Sequence, residues 1–375
     1  MSSQKKLRVA VLFGGRSAEH EISLLSARFV VSSLDRERFE PLLVGIDKDG
    51  RWHLQEEARV LAASRDPRLA RLEGGYPEVT LAAHPGAHGE GSLAIGGGKD
   101  TAGVDVVFPV LHGPMGEDGS VQGLLELSGV PYVGAGVLGS AVGMDKDVMK
   151  RLLAGAGLPL VPHVTLRRLD WERGRGGALD RAEALGFPLF VKPANLGSSV
   201  GVSRAVDRAS LARGVDEAFT FDHKVLVEKG LDRPREIECA VLGNDAPIAS
   251  IPGEIVVDHQ DGFYSYAAKY IDEKGATTRI PAALSEGEIA EAQRLSIATF
   301  QALECAGMAR VDLFLDHDRK LWVNEINTIP GFTAISMYPK LWEASGIPAK
   351  ELLARLIDLA MERGAARAKL RTSAH

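Results

Sequence analysis

The sequence predicts an α/β fold built from more than one domain, and three observations predict it. "LRVAVLFGG" (7–15) is an apolar run closed by glycines, a helical pattern follows from about Ser17 or Glu19 to Leu34, and "FEPLLVGID" (39–47) is a second apolar run. Strand, helix and strand in that order open a parallel, doubly wound sheet. The chain has 375 residues, more than one ordinary domain, and its 45% apolar and 25% charged content suits a soluble protein with large cores.

The remaining elements follow in order. Residues 74–103 are rich in Gly, Ala and His and read as a long surface excursion. "VDVVFPVLHG" (104–113) resumes as a strand, and "VQGLLELSGVPYVG" is a helix closed by Gly129 and Pro131. From about Val137 the texture changes: a helix near 144–156 ends at "GAGLP", with Gly157 as its cap. "LFVKPA" and "KVLVEKGL" are strands separated by a helix near 208–219, and "EIECAVLG" and "IASIPGEIV" are further strands. Ser285 with Glu288 makes a capping box, and the last twelve residues, "GAARAKLRTSAH", read as a frayed tail.

The formal charge of −6 excludes bulk electrostatic binding to nucleic acid or to an anionic membrane, so any anionic ligand needs a local cationic cluster. No apolar window approaches the ~18 residues of a membrane span, and the N-terminal run is too short for a signal peptide. Cys239 and Cys305 lie far apart in apolar patterns and read as buried thiols of a cytoplasmic protein.

The segment "ARVDLFLDHDRKLWVNEINTIPG" (309–331) reads as a hairpin around "HDRK". Pairing Asp316 with Leu321 sets Phe314 opposite Val323, Asp312 opposite Glu325 and Arg310 opposite Asn327 on one face. Val311, Leu313, Leu315, Trp322 and Ile326 then take the other face. Carboxylates opposed at roughly 5 Å repel unless a cation lies between them. Asp, Glu and Asn oxygens are the hard ligands Mg²⁺ takes; the alternative is a solvated polar face that Arg310 neutralises. Pro330 and Gly331 follow at once, either as an ordinary turn or as a source of a backbone N–H facing a ligand.

"FVKPANLGSSVGV" (190–202) places Lys192 at the end of a strand, before a loop of small residues. Such a loop wraps phosphates with backbone N–H groups beside a lysine, or it is a plain turn; its order is not that of a P-loop. Lys146 starts a helix, and "VLVEKGL" ends a strand with Glu228 and Lys229. A strand edge followed by an acid suits an adenine and a ribose.

Taken together, "FGGRSAEHEISL", "LHGPMGEDGSVQG", "GSAVGMDK", "VKPANLGSSVGV", "VLVEKGL", "YAAKY", "ARVDLFLD" and "NEINTIPGFTAIS" resemble the ordered motifs of D-alanine–D-alanine ligases, members of the ATP-grasp superfamily. The resemblance runs from about residue 7 to 360. It implies an N-terminal parallel α/β domain (1–136) and two α+β ATP-grasp lobes (137–228 and 229–375), with ATP between the lobes.

Residue by residue, the resemblance implies that Lys146 and Lys192 contact phosphate. Glu228 and Glu236 lie on the nucleotide side, and Lys229, Ser199 and Met337 are neighbours. Asp312, Glu325 and Asn327 would hold two Mg²⁺ ions, for which Mn²⁺ can stand in. Arg310 and the Gly331 N–H would stabilise a tetrahedral oxyanion. Glu21 would hold the ammonium of the first D-alanine; by itself, an acid in a helix's first turn merely complements the helix dipole. His112 would line that pocket, Lys269 and Ser336 would lie near the second carboxylate, and Ser198, Tyr270 and Glu21 would close two loops over the site. The reaction implied is ATP-dependent joining of two D-alanines through an acyl phosphate, for peptidoglycan precursor synthesis, by a homodimer.

Three rival readings remain. Tyr270 in "YAAKY" favours an amide product over the ester of a D-alanine–D-lactate ligase, with a D-serine ligase as the further variant. A nicotinamide dehydrogenase would lack G-x-G-x-x-G and leave the acid hairpin without a task. A non-catalytic nucleotide-binding regulator would not need Arg310, Asp312, Glu325 and both lysines.

Overall fold

The computed structural model describes residues 5–62, 70–72, 74–84, 91–96, 100–257 and 276–371. β1 (Leu7–Gly14) leads into α1 (His20–Ser33), and β2 (Phe39–Ile46) returns parallel to β1. β3 (Trp52–Gln55) adds an antiparallel edge, and α2 (Glu57–Ala62) follows. Residues 74–103, expected as an irregular excursion, instead hold β4 (Val79–Leu81), β5 (Gly91–Ile95) and β6 (Thr101–Val104) as an antiparallel sheet. Strands this short each carry too few inward apolar residues for a period to stand out of the sequence. β7 (Val106–Pro109) pairs parallel with β1, giving the order β3-β2-β1-β7. Both faces of β1 are covered: Val9, Val11 and Phe13 enter one core, Ala10 and Leu12 another. That explains its unbroken apolar run.

α3 (Ser120–Ser128) ends at Gly129, in the left-handed conformation with φ 69°. The helix predicted near 144–156 is α5 (Lys146–Gly155), and a helix that was not predicted, α4 (Val137–Met144), precedes it. The break is Asp145, whose extended backbone lets its carboxylate accept from the amides of Asp147 and Val148 at 3.1 and 3.0 Å and so cap α5. Gly157 (φ 74°) follows the last turn, as expected of a C-terminal glycine.

β8 (His163–Arg167), α6 (Arg168–Glu183), β9 (Leu189–Pro193), β10 (Ser203–Ala205), α7 (Arg208–Phe221) and β11 (Lys224–Lys229) form an antiparallel sheet, order β10-β9-β11-β8. One face, with Val191, Val225 and Val227, is buried with residues of α6 and α7. By alternation the other face carries Lys192, Lys224, Leu226 and Glu228.

β12 (Arg235–Gly243), β13 (Ile248–Ala249), β14 (Gly253–Val257) and β15 (Ala276–Arg279) begin the last sheet. The single strand expected at "IASIPGEIV" is divided because Pro252 has no N–H for a ladder. α8 (Glu286–Ala302) starts in the predicted Ser285–Glu288 capping box. β16 (Gly307–Leu315) and β17 (Leu321–Asn327) are the predicted hairpin, followed by α9 (Met337–Ala344) and α10 (Ala349–Ala368). The tail read as frayed is thus helical to Ala368; Arg363 ties it down by donating to Tyr132 O at 2.9 Å.

The hairpin register holds at its base and departs at its tip. Arg310 faces Asn327 and Asp312 faces Glu325, but Leu313, not Phe314, faces Val323. A β-bulge makes Asn324 an extra residue, so Phe314 pairs with Trp322 and Leu315 with Leu321, instead of Asp316 with Leu321. Val323 therefore sits in the core and Trp322 on the opposite face, where its Nε1 donates to Asp316 at 2.7 Å.

Cys239 and Cys305 are buried free thiols, pushed up by burial to about 11 and about 12. Among the described residues no helix is long and apolar enough to cross a membrane. The N-terminal sheet and the C-terminal helices share one core, in which Phe332 packs on Phe108, Tyr338 and Phe29 with centroids 5.9, 5.5 and 6.3 Å away. Phe332→Ala is expected to lower the unfolding free energy by about 3–5 kcal/mol, read by urea denaturation. A loss under about 1 kcal/mol would show that this ring does not join the two parts.

Candidate active site

Three elements bring the cations together. α5 presents Lys146 and Lys150 on one side, because residues four apart share a helical face. β9 presents Lys192 from the uncovered face of its sheet. Lys192 Nζ lies 2.7 Å from Glu228 Oε2, and Lys150 Nζ lies 3.0 Å from Glu228 Oε1. Lys146 Nζ donates to Leu196 O at 2.7 Å and lies 3.3 Å from Glu325. Burial opposes the charge on Lys192, but Glu228 and Glu325 outweigh it and raise its pKa. Burial likewise works against the Glu228 carboxylate, yet Lys150 and Lys192 hold it far below the usual range.

The acid hairpin supplies the other side. Glu238 on β12, Asp312 on β16 and Glu325 on β17 stand in register across three strands. Arg310 grips Asp312 with two bonds of 2.7 Å and reaches Glu238 at 3.1 Å, while Asn327 Nδ2 donates to Asp312 at 3.0 Å. Among the described residues no three His, Cys, Asp or Glu side chains converge as a metal site. The oxygens of Asp312, Glu325 and Asn327 are the hard donors that suit Mg²⁺. In this arrangement Arg310 and Lys146 meet the charges of the two acids.

The third part is the loop junction. Ser198 Oγ donates to Glu19, not to Glu21. α1 begins at His20, so Glu19 lies before the helix, and Glu21 points about 200° around the axis from it. Glu21 instead pairs with Lys48 at 2.7 Å and lines a 420 Å³ cavity with His20, Asp47 and His53, apart from the lysine cluster. The acid paired with Ser198 is therefore Glu19, and the placement expected of Glu21 is corrected. Both Ser198 (φ 50°) and Ser199 (φ 57°) are left-handed.

Beside Glu19 lies Glu117, which accepts the Gly113 N–H at 2.8 Å. His112 is buried, its Nδ1–H placed to donate to Ile329 O at 3.1 Å and its Nε2 3.0 Å from Ser26 Oγ; burial lowers its pKa, opposed by Glu19. A 320 Å³ cavity lies against His112, Ser17 and Gly15. Ser336 Oγ accepts from the Thr333 amide at 3.0 Å, and a Cβ on Gly331 would meet that oxygen at 2.9 Å.

Lys229 turns away, donating to Leu185 O at 3.0 Å. Glu236, opposite Phe314, acts on Lys192 electrostatically. Lys269 and Tyr270 lie outside the described residues. Sequence reasoning missed Lys150, Glu117, Glu238 and Glu19. The four-residue spacing of "KDVMK" and the acid in "GEDG" were visible, whereas Glu238 needed the β12–β16 pairing.

A lysine-bearing antiparallel sheet facing an acid-bearing one, with a small-residue loop between them, defines the ATP-grasp class of enzyme. The family description "D-ala D-ala ligase N-terminus" matches residues 8–135, and "D-ala D-ala ligase C-terminus" matches 152–358. The chain is 51% identical to D-alanine–D-alanine ligase A of Chromobacterium violaceum, covering 96% of each chain. It is 50% identical to the Escherichia coli K12 enzyme of that name, over 98% of this chain and 100% of that one. Among solved structures it is similar to the D-alanine-D-alanine ligase from Coxiella burnetii (TM-score 0.83, 41% identity, 97% and 98% covered). It is also similar to the VanG D-Ala:D-Ser ligase from Enterococcus faecalis (TM-score 0.82, 33% identity, 95% and 100% covered). The chain belongs to the D-alanine–D-alanine ligase family.

Burial first, then the Glu19 carboxylate, pushes Glu117 from 4.5 up to about 8. Its protonated form stabilises the fold fully below about 4.5, and that contribution is lost as pH rises through about 8. Glu117→Gln keeps this position neutral, so its melting temperature is expected to fall less than the wild type's between pH values of about 5 and 8. Parallel melting curves for the two proteins across that range would refute the assignment.

Proposed function

We propose that this enzyme joins two D-alanines to D-alanyl-D-alanine at the expense of ATP, for peptidoglycan precursor synthesis. The observation that carries the reading is that Lys146 meets Glu325 of the in-register Asp312–Glu325 pair, with Lys192 beside it on Asn324 Oδ1 and within reach of the Glu325 charge. A carboxylate must approach a polyanion, and the two ammonium groups would offset that repulsion and orient in-line transfer. The first D-alanine's carboxylate oxygen takes the γ-phosphoryl group and ADP leaves. The second amine then attacks the acyl carbon, the bond from that carbon to the bridging oxygen breaks so that phosphate leaves carrying the oxygen, and the amine loses a proton.

The chain's own residues divide this work. Arg310 and the Gly331 N–H would receive the charge that develops on the tetrahedral oxygen, at about 3–4 kcal/mol per donor. Glu19 takes the place expected of Glu21 near the first substrate's ammonium. His112 and Ser336 line the pocket, and the Ser198 loop excludes water from the acyl phosphate. Asp312, Glu325 and Asn327 would hold Mg²⁺, two ions in all. Bound there, the metal would supply neutralising charge at the phosphate oxygens. The three-lobe division at 136 and 228, a homodimer and a cytoplasmic setting belong to the same reading.

Mass spectrometry of the product from D-alanine and ATP is expected to find D-alanyl-D-alanine, with ADP release that stops when EDTA removes divalent metal. In mixtures with D-serine or D-lactate, a mixed product in excess would favour the rival ligases. Asp312→Ala and Glu325→Ala are each expected to lower turnover at least about 100-fold; wild-type phosphate release from either would sink the metal assignment. Ser198→Ala and Glu19→Gln are expected to lower kcat/KM about tenfold or more, with Glu21→Gln within about threefold of wild type. The reverse order would restore Glu21 to the site.

A further inference from the structure

Lys150 has no part in the functions assigned so far, yet it is among the largest fully buried side chains, with its side chain 1% exposed. A buried ammonium persists only where a counter-charge and acceptors meet it. Lys150 and Lys192 share one set of each. Glu228 offers Oε1 to Lys150 (3.0 Å) and Oε2 to Lys192 (2.7 Å). Asn324 offers its backbone O to Lys150 (3.3 Å) and its side-chain Oδ1 to Lys192 (3.2 Å). Asn324 is the bulged residue of β17, so the irregularity of that strand turns two acceptors toward the pair.

The two lysines differ in reach. The Lys192 side chain is 12% exposed, whereas that of Lys150 is 1% exposed and turned to Glu228. If Lys192 left Glu228 for a phosphate, a carboxylate only 3% exposed would remain. With no cation beside it, that carboxylate would hold Lys192 back.

We propose that Lys150 is a positioning residue for the nucleotide: a resident counter-ion that keeps Glu228 compensated, so that Lys192 is free to exchange Glu228 for the phosphates of ATP. This rests on the reading that Lys192 meets the nucleotide. Lys150 is not the only anchor of its helix. α5 is also fastened at its N-terminus by Lys224, buried and 2.6 Å from Asp145 and 3.1 Å from Asp147. Lys224 and Glu228 lie on the same face of β11, so the helix is gripped at two separate points.

The test uses the full-length enzyme with Lys150→Met, Lys192→Met, Glu228→Gln and the double variant Lys150→Met/Glu228→Gln. Lys150→Met is expected to raise KM for ATP about tenfold or more, with KM for D-alanine and kcat at saturating ATP within about threefold. In the double variant no carboxylate is left at 228 to hold Lys192, and KM for ATP is expected to lie within about threefold of that of Glu228→Gln alone. A merely structural lysine would lower kcat, shift both KM values and do so as strongly in the Glu228→Gln background. An unchanged KM for ATP in Lys150→Met, or a KM for ATP in the double variant about tenfold or more above that of Glu228→Gln, would overturn the proposal. The double variant removes the buried Glu228 charge and leaves Lys192 with Asn324 Oδ1 and the charges of Glu325 and Glu236, so its comparison with Glu228→Gln carries the test if Lys150→Met does not fold. Should Lys192→Met leave KM for ATP unchanged, the reading of Lys192 itself fails. Weak ATP use by Lys192→Met alone would leave that reading intact and reject the role of Lys150.

Discussion

Removing an ammonium group from water costs several kcal/mol unless charge and hydrogen bonds replace the solvent. This protein does so twice around one carboxylate. Glu228 binds one lysine through each oxygen, and those lysines come from different elements, β9 and α5. The requirement sets the geometry around it. α5 must lie against the uncovered face of β11, and the break at Asp145 allows this by turning α4 into α5. β9 must pair with β11 so that Lys192 is diagonal to Glu228, which the observed Leu226–Lys192 register provides.

The same constraint crosses to the other sheet. A regular β17 would keep Val323 on the polar face and Trp322 in the core. The extra residue, Asn324, reverses both and leaves Asp312 opposite Glu325. It also directs a carbonyl and an amide oxygen at the two lysines. The bulge thus keeps the core apolar and couples the acid hairpin to the lysine-bearing sheet.

Much of this was legible beforehand, for reasons that can be named. The opening β1–α1–β2 unit was visible because a parallel strand covered on both faces is a continuous apolar run. The Asp312–Glu325 and Arg310–Asn327 pairs followed from alternation near the hairpin's base. The tip did not, because a bulge that answers to lysines on α5 and on another sheet leaves no periodic trace. Glu19 and Glu21 were confused for a related reason. Both acids stand in "SAEHE", and only the point where the helix starts decides which one faces Ser198. The excursion at 74–103 hid three strands too short to display a period.

The loop that carries Ser198 combines a costly backbone with bonds at both its root and its tip. Two successive non-glycine residues there, Ser198 and Ser199, are left-handed, at a cost of about 1–2 kcal/mol each. A hydrogen bond to a charged group returns about 1.5–3 kcal/mol, so the Ser198–Glu19 bond nearly balances that strain. Gly197 makes the approach possible, since a Cβ there would already stand 3.3 Å from Glu19. At its root the loop is fixed by Lys146 on Leu196 O and by Asp222, which accepts from Asn195 N and Nδ2 at 2.8 and 3.0 Å. The loop is thus anchored at its root by Lys146 and Asp222 and tied at its tip by the Ser198–Glu19 bond. Its tip partner, Glu19, comes from the N-terminal part of the chain, while Lys146 at its root meets Glu325 of the acid hairpin. The loop therefore bridges the two halves of the site, through the Ser198–Glu19 bond at its tip and Lys146 at its root.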